Sequence, residues 1–275
     1  MKHSFYESEE KQVMDSFLEN GYYIFSVSSV DLLEEIKSTI FEWSRELLLL
    51  PSSVSLSDFF DQTQNHVSVD KLNDFRVQMI QRLSLWKDLR PSMYSLGKRY
   101  FDWIVGNEVS MQRTVNLSIQ LPQDDSSLLP LHSDVWSGNS PYEIVCWLPL
   151  VNCYKTKSMF VLPYKKSQQI FDNFHQYANL STEQLYQKIK LETVELTVPF
   201  GSGVIFSHSI LHGNRVNLEK ATRWTFNVRL KSLLSPYGTK ELGETFIPIN
   251  IKPLTRIGYN YVFPVMNEKR FGGSK

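Results

Sequence analysis

The feature that most constrains this chain is a change of hydrophobic period near residue 110. Upstream, apolar residues recur at helical spacing; downstream, they alternate. In residues 114–121, Val115, Leu117, Ile119 and Leu121 face one way, and Asn116, Ser118 and Gln120 face the other. That is a half-buried strand with a polar face. Residues 223–231 repeat the pattern, setting Trp224, Phe226, Val228 and Leu230 against Arg223, Thr225, Asn227 and Arg229. Strands are also expected over residues 143–150, 159–162, 191–198 and 203–206.

Before the change, residues 9–20 read as an amphipathic helix closed by Gly21, and residues 22–27 as a strand. A second helix starts at Asp31, a candidate N-cap, and carries Leu32, Leu33, Ile36, Ile40, Phe41 and Leu47 at helical spacing. Helices are expected over residues 69–89 and 92–104, and Ser181 with Gln184 forms a capping box opening a helix that ends near Ile189. Residues 52–66 fit no element and read as a loop. No repeat or low-complexity linker interrupts the chain. The expectation is one domain over residues 1–275: a mainly helical cover (1–110), a β core (111–235) and a C-terminal extension (236–275).

Composition narrows the partners. Twenty-nine basic residues balance 29 acidic ones, so the basic excess of a nucleic-acid binder is missing and no nucleic-acid partner is expected. No stretch approaches the roughly 18 uncharged apolar residues of a membrane span, so no membrane partner is expected either. The first residues turn acidic at Ser8, Glu9 and Glu10 without an apolar run, which argues against a secretory signal. Cys146 and Cys153 are expected to be buried reduced thiols, and the location cytoplasmic.

His132 and Asp134 carry the chemistry. In extended backbone, residues two apart share a face, so one imidazole and one carboxylate can reach a single cation. A second imidazole from another strand completes a facial set of three, which leaves three adjacent positions on an Fe(II) ion open for a co-substrate and O₂. Parity alone allows His208 or His212 as that imidazole. Arg223 favours His212. It lies eleven residues further on, at the head of a strand's polar face, where a guanidinium can pair bidentately with a dicarboxylate.

His132-x-Asp134, His212-Gly213-Asn214 and Arg223 together resemble the phytanoyl-CoA dioxygenase-like branch of the Fe(II)/2-oxoglutarate oxygenases. The opening Phe17-Leu18-Glu19-Asn20-Gly21-Tyr22 is similar to that family, as are Cys146-Trp147-Leu148-Pro149-Leu150 and Met159-Phe160-Val161-Leu162-Pro163. The resemblance spans roughly residues 12–232. It departs after Pro163, where Tyr164-Lys165-Lys166 replaces Gly-Ser-His and should alter a loop near the pocket mouth. Residues 129–141 further resemble a subgroup encoded in bacterial surface-carbohydrate gene clusters.

The resemblance implies a double-stranded β-helix (jelly-roll) core covered by N-terminal helices. It implies iron held by His132, Asp134 and His212, with Arg223 and Asn214 on the far carboxylate of 2-oxoglutarate. Trp147 and Gln120 are carried over as further co-substrate residues. Hydroxylation is the default outcome, and the carboxylate Asp134 argues against halogenation. The rival readings are a non-catalytic jelly-roll binding protein and a cupin-like metalloenzyme that does not use 2-oxoglutarate. If the apolar face of residues 223–231 packs on the helices, Arg223, Thr225, Asn227 and Arg229 point into the barrel, with Asn116, Ser118 and Gln120 beside them. A polar small-molecule substrate follows, most simply a sugar or a nucleotide-linked sugar.

Overall fold

The structure, a computed structural model, describes residues 5–266 and 269–270. Residues 1–4, where the leader reading began, and 267–268 and 271–275 of the C-terminal extension lie outside the described residues. Helix α1 (Ser8–Asn20) ends at Gly21, whose φ of 76° is the left-handed conformation that only glycine adopts freely. Strand β1 (Tyr22–Ser26) follows, then α2 (Val30–Leu48), α3 (Leu56–Asp61), α4 (Val69–Leu85) and α5 (Leu89–Ile104). The β-rich part runs β2 (Val109–Gln112), β3 (Asn116–Gln120), β4 (Glu143–Pro149) and β5 (Met159–Val161). Helices α6 (Tyr164–Asp172) and α7 (Thr182–Ile189) precede β6 (Val194–Glu195), β7 (Ser202–Ser207), β8 (His212–Asn214) and β9 (Arg223–Ser232). Strand β10 (Phe246–Asn250) and α8 (Pro253–Asn260) lie beyond.

Two antiparallel sheets make the jelly-roll core. The larger has the order β1-β7-β4-β9-β2-β10, with β3 also on β9; the smaller has the order β6-β5-β8. The ten-residue β9 is the spine. Its first half pairs β3 from Gln120↔Arg223 to Asn116↔Asn227, and its end pairs β2, while β4 runs along its other edge. The register puts alternate β9 side chains into the space between the sheets and the rest against the helices. Trp224 takes the helical side, with ring centroids 5.0 Å from Phe60, 5.8 Å from Phe59 and 5.9 Å from Phe75. Its indole N–H donates to Thr63 Oγ1 at 2.8 Å. Each such aromatic pair adds about 0.5–1.5 kcal/mol beyond its burial.

Several expectations need correcting. Residues 52–66 are no loop: they contain α3, whose Phe59 and Phe60 are wholly buried over β9. A six-residue helix is too short to show a period. The N-cap of α2 is Ser29, which accepts from the Leu32 N–H at 3.1 Å; Asp31 sits within the first turn. Of residues 191–198 only Val194–Glu195 form a strand, with Val198 making an isolated bridge to Cys153, and a 3₁₀ turn occupies Lys190–Glu192. The departure after Pro163 forms α6, not a loop. Strands β2 and β10 were missed because β2 alternates over only four residues (Val109-Ser110-Met111-Gln112) and β10 does not alternate and carries Pro248. The capping box of α7 forms as expected. Cys146 and Cys153 are free and buried, and burial pushes both thiols up to about 12. Among the described residues no helix is long and apolar enough to cross a membrane.

Candidate metal centre

His132 and His212 face one another across an isolated antiparallel bridge. The His132 N–H donates to the His212 carbonyl at 3.0 Å, and the reverse bond measures 2.9 Å. This reciprocal pair brings the ring centroids to 4.3 Å. Ser133 is extended at φ −119° and ψ 136°, so Asp134 returns to the face of His132 as it enters a 3₁₀ turn. The ligand atoms of His132, Asp134 and His212 all lie within 4.8 Å of one another.

Backbone carbonyls set the tautomers. His132 Nδ1 lies 2.7 Å from the Pro130 carbonyl, and His212 Nδ1 lies 3.0 Å from that of Ile210. A carbonyl only accepts, so each Nδ1 carries the hydrogen and each Nε2 keeps its lone pair for a cation. Burial pushes the His212 imidazole down to about 4, which leaves it neutral and able to ligate at neutral pH. Burial alone would raise the Asp134 carboxyl, but His208, His212 and Arg229 together hold it below its ordinary value. Arg229 Nη2 donates to Asp134 Oδ1 at 3.2 Å, while Oδ2 faces His212 Nε2 at 3.8 Å. One carboxylate oxygen is thereby occupied and the other is presented to the site.

His208 stands outside the set of three. Residues 208–210 turn, so the two histidines do not share one strand face. The His208 ring is fully buried between two carboxylates, with Nε2 3.6 Å from Asp134 Oδ2 and Nδ1 3.3 Å from Glu143 Oε2. Neither ring nitrogen makes a hydrogen bond, nor does Glu143 Oε2. Burial pushes the imidazole down to about 3 and raises the Glu143 carboxyl.

A cavity of about 600 Å³ lies between the sheets and includes His132, Asp134 and His212 in its walls. Arg223 lines it at 3% exposure. Its hydrogen bonds are long, 3.4 Å to the Ser158 carbonyl and 3.4 Å to Ser118 Oγ, and Nε has no partner. Burial without a carboxylate pushes the guanidinium down to about 10. An unpaired buried cation is costly, and a dicarboxylate in the same cavity would relieve it. Trp147 and Asn214 also line the cavity. The Asn214 amide is engaged with the neighbouring loop: Oδ1 accepts from Leu129 N–H at 2.6 Å and Nδ2 donates to the Ser127 carbonyl at 3.2 Å. Gln120 lies outside the lining and donates to the Arg215 carbonyl at 2.8 Å. Thus His132, Asp134, His212, Arg223, Asn214 and Trp147 converge and Gln120 does not. The parity of residues 223–229 placed Arg229 in the cavity, but its bond to Asp134, the position of Glu143 against His208 and that of Lys240 in the cavity wall carry no local signal in the sequence.

No family model matches the chain, and no curated protein matches it. Among solved structures, it resembles the non-haem monooxygenase ThoJ. The ThoJ nickel complex superposes with a TM-score of 0.51 at 13% identity, over 87% of this chain and 84% of the other; the apo form gives 0.52 at 11%. EctD from S. alaskensis with bound Fe gives 0.51 at 14% identity, over 86% and 82%. At such identities the likeness is one of fold, and the jelly roll with its helical cover is a fold this chain shares with non-haem enzymes.

Proposed function

We propose that the protein is an Fe(II)- and 2-oxoglutarate-dependent dioxygenase of the phytanoyl-CoA dioxygenase-like branch, acting on a small polar metabolite. The observation that carries this reading is the company Arg223 keeps: an unpaired buried guanidinium in the same cavity as a His-Asp-His facial set. The donor set fits the group, since two imidazole nitrogens and one carboxylate oxygen suit a non-haem Fe(II) site with open positions. When bound, iron, 2-oxoglutarate and O₂ together supply oxidation of a C–H bond to C–OH, with succinate and CO₂ as co-products.

The chain's own residues do the rest. His132 and His212 would offer Nε2, their rings held by the Pro130 and Ile210 carbonyls. Asp134 would offer Oδ2 while Arg229 retains Oδ1. Arg223 would take the far carboxylate of 2-oxoglutarate, and Val145, Trp147, Met159 and Phe206 supply dry wall. Asn214 contributes by tying residues 127–129 to β8. Asn116, Ser118, Asn227 and Arg229 make a polar stretch of the same sheet, with Asn227 beside Trp147 and Arg229 beside Val145, which favours a hydroxyl-rich substrate such as a sugar or a nucleotide-linked sugar. The resemblance of residues 129–141 favours a place in surface-carbohydrate biosynthesis, by a single-domain cytoplasmic enzyme.

Anaerobic addition of Fe(II) and 2-oxoglutarate tests the assignment: a weak visible metal-to-ligand charge-transfer band is expected. His212→Ala should abolish it, and His208→Ala at saturating iron should retain it. Loss of the band in His208→Ala alone would overturn the ligand set. Release of succinate from 2-oxoglutarate separates the dioxygenase from a non-catalytic jelly roll and from a cupin-like enzyme.

A further inference from the structure

The cavity walls carry four cations, Arg76, Arg223, Arg229 and Lys240, against one carboxylate, Asp134. This inference rests on the dioxygenase reading. A divalent metal and a dicarboxylate co-substrate cancel in charge, so they leave that surplus as it stands. Two of the cations are accounted for. Arg223 faces the co-substrate. Arg76 Nε is buried without a partner, but its Nη2 donates to the Ile119 carbonyl at 3.0 Å and Ser127 Oγ at 2.9 Å, and the charge of Asp124, to which Ser127 donates at 3.1 Å, balances it.

Arg229 and Lys240 remain. Arg229 is only partly met, by Asp134 Oδ1 at 3.2 Å and Gln112 Oε1 at 3.4 Å, and its Nε is buried without a partner. Lys240 Nζ donates to Asn139 Oδ1 and forms no ion pair among the described residues. Burial, followed by the charge of Arg229, lowers the Lys240 ammonium, as expected of two cations that share one wall.

Lys240 is held in place from two sides. Asn139 accepts from Lys240 and donates through Nδ2 to the Asp134 carbonyl at 2.9 Å, so one amide links the lysine to the metal-site loop. Thr239 Oγ1 donates to the Gly138 carbonyl at 3.0 Å. The two segments approach so closely that a Cβ on Gly238 would stand 2.7 Å from the Gly138 carbonyl oxygen. Asn227 adds a neutral donor on the same strand face, since its Oδ1 already accepts from Asn116 at 2.9 Å and its amide N–H groups are left over.

We propose that Arg229 and Lys240 form a second anion subsite that receives a phosphoryl group of the substrate, making the substrate a phosphorylated small molecule. Two cations lining one cavity beside amide donors match a dianionic, multi-oxygen group better than a single carboxylate. Lys240 is then a specificity-determining residue at the mouth of the cavity.

Methyl phosphate is the probe. It is titrated calorimetrically, at fixed ionic strength, into the protein loaded with redox-inert Ni(II) and 2-oxoglutarate, with acetate as the control anion. Methyl phosphate should bind more tightly than acetate. Lys240→Met should weaken it tenfold or more, and Lys240→Arg should restore most of the affinity. The 2-oxoglutarate affinity of both variants should stay within about twofold of the parent. Equal binding by the parent protein and Lys240→Met, no binding to the parent, or no preference over acetate overturns the inference. If Ni(II) and 2-oxoglutarate do not bind but methyl phosphate still tracks Lys240, the dioxygenase reading fails and the subsite stands.

Discussion

The two faces of β9 are built on opposite principles. On the helical face, Trp224, Phe226, Val228 and Leu230 are all 0–1% exposed, and the one polar atom of Trp224 has its partner in Thr63. On the cavity face, Arg223 Nε, Thr225 Oγ1 and Arg229 Nε are all buried without partners. One strand thus carries a face with its bonding complete and a face left waiting for ligands. Unmet buried polar groups each cost about 1–3 kcal/mol, so stability comes from the helical face and is spent on the other. Function-bearing residues are expected where local satisfaction fails.

That contrast can be broken by substitution. Trp224→Ala should destabilise the fold by about 3–5 kcal/mol, because it removes a large buried ring and leaves a cavity beside Phe59 and Phe60. Chemical denaturation measures this; a loss below 1 kcal/mol would mean that the helices, not β9, carry the core. Arg223→Leu should behave in the opposite way. Removing an unpaired buried cation should leave the melting temperature unchanged or raised. The requirement for 2-oxoglutarate should nonetheless rise roughly a hundredfold, the equivalent of about 3 kcal/mol. An unchanged requirement would hand the anchoring role to Lys157 or Arg229. Lys157 is the weaker rival, since its Nζ already pairs with Asp61 at 2.9 Å.

A third substitution tests the support behind Asp134. His208→Ala should raise the metal dissociation constant about 10–100-fold, the usual effect of removing a group that orients a ligand. The charge-transfer band should still form at saturating iron. An unaltered metal affinity would reduce His208 to packing. The smallest effect is expected at Thr225, whose hydroxyl is fully buried and unpartnered. Thr225→Val should raise stability by about 1 kcal/mol or leave it unchanged, read as a shift of roughly 2–4 °C or none. A clear fall would show that the hydroxyl has a role on the cavity face.

Much of the centre could be read before folding because it depends on local rules. His132 and Asp134 meet through a spacing of two in extended backbone, and Arg223 leads an alternating strand whose parity sends it inward. Periodicity of that kind persists whatever the chain packs against. Where the rule lapsed, the reading lapsed with it. Residues 56–61 form a helix too short to register as periodic. Strand β2 alternates over four residues only, too few to register, and β10 is interrupted by Pro248 and a shift in register. Residues 191–198 have strand composition but find pairing partners only at Val194, Glu195 and Val198.

The sequence by itself determined a helical cover, a β core and the alternation that sorts β9 into an apolar and a polar face. It also determined which imidazole and carboxylate lie close in the chain. The spacing to Arg223 already favoured His212 over His208, and tertiary structure supplied the physical reason: a turn at residues 208–210 buries the first behind Asp134, and the bridge to His132 carries the second into the cavity. Tertiary structure alone brought Arg229 onto Asp134 across 95 residues and Lys240 onto Asn139 across 101. No local spacing encodes such contacts, because they arise only when strands distant in sequence pair and the intervening loops close over one cavity.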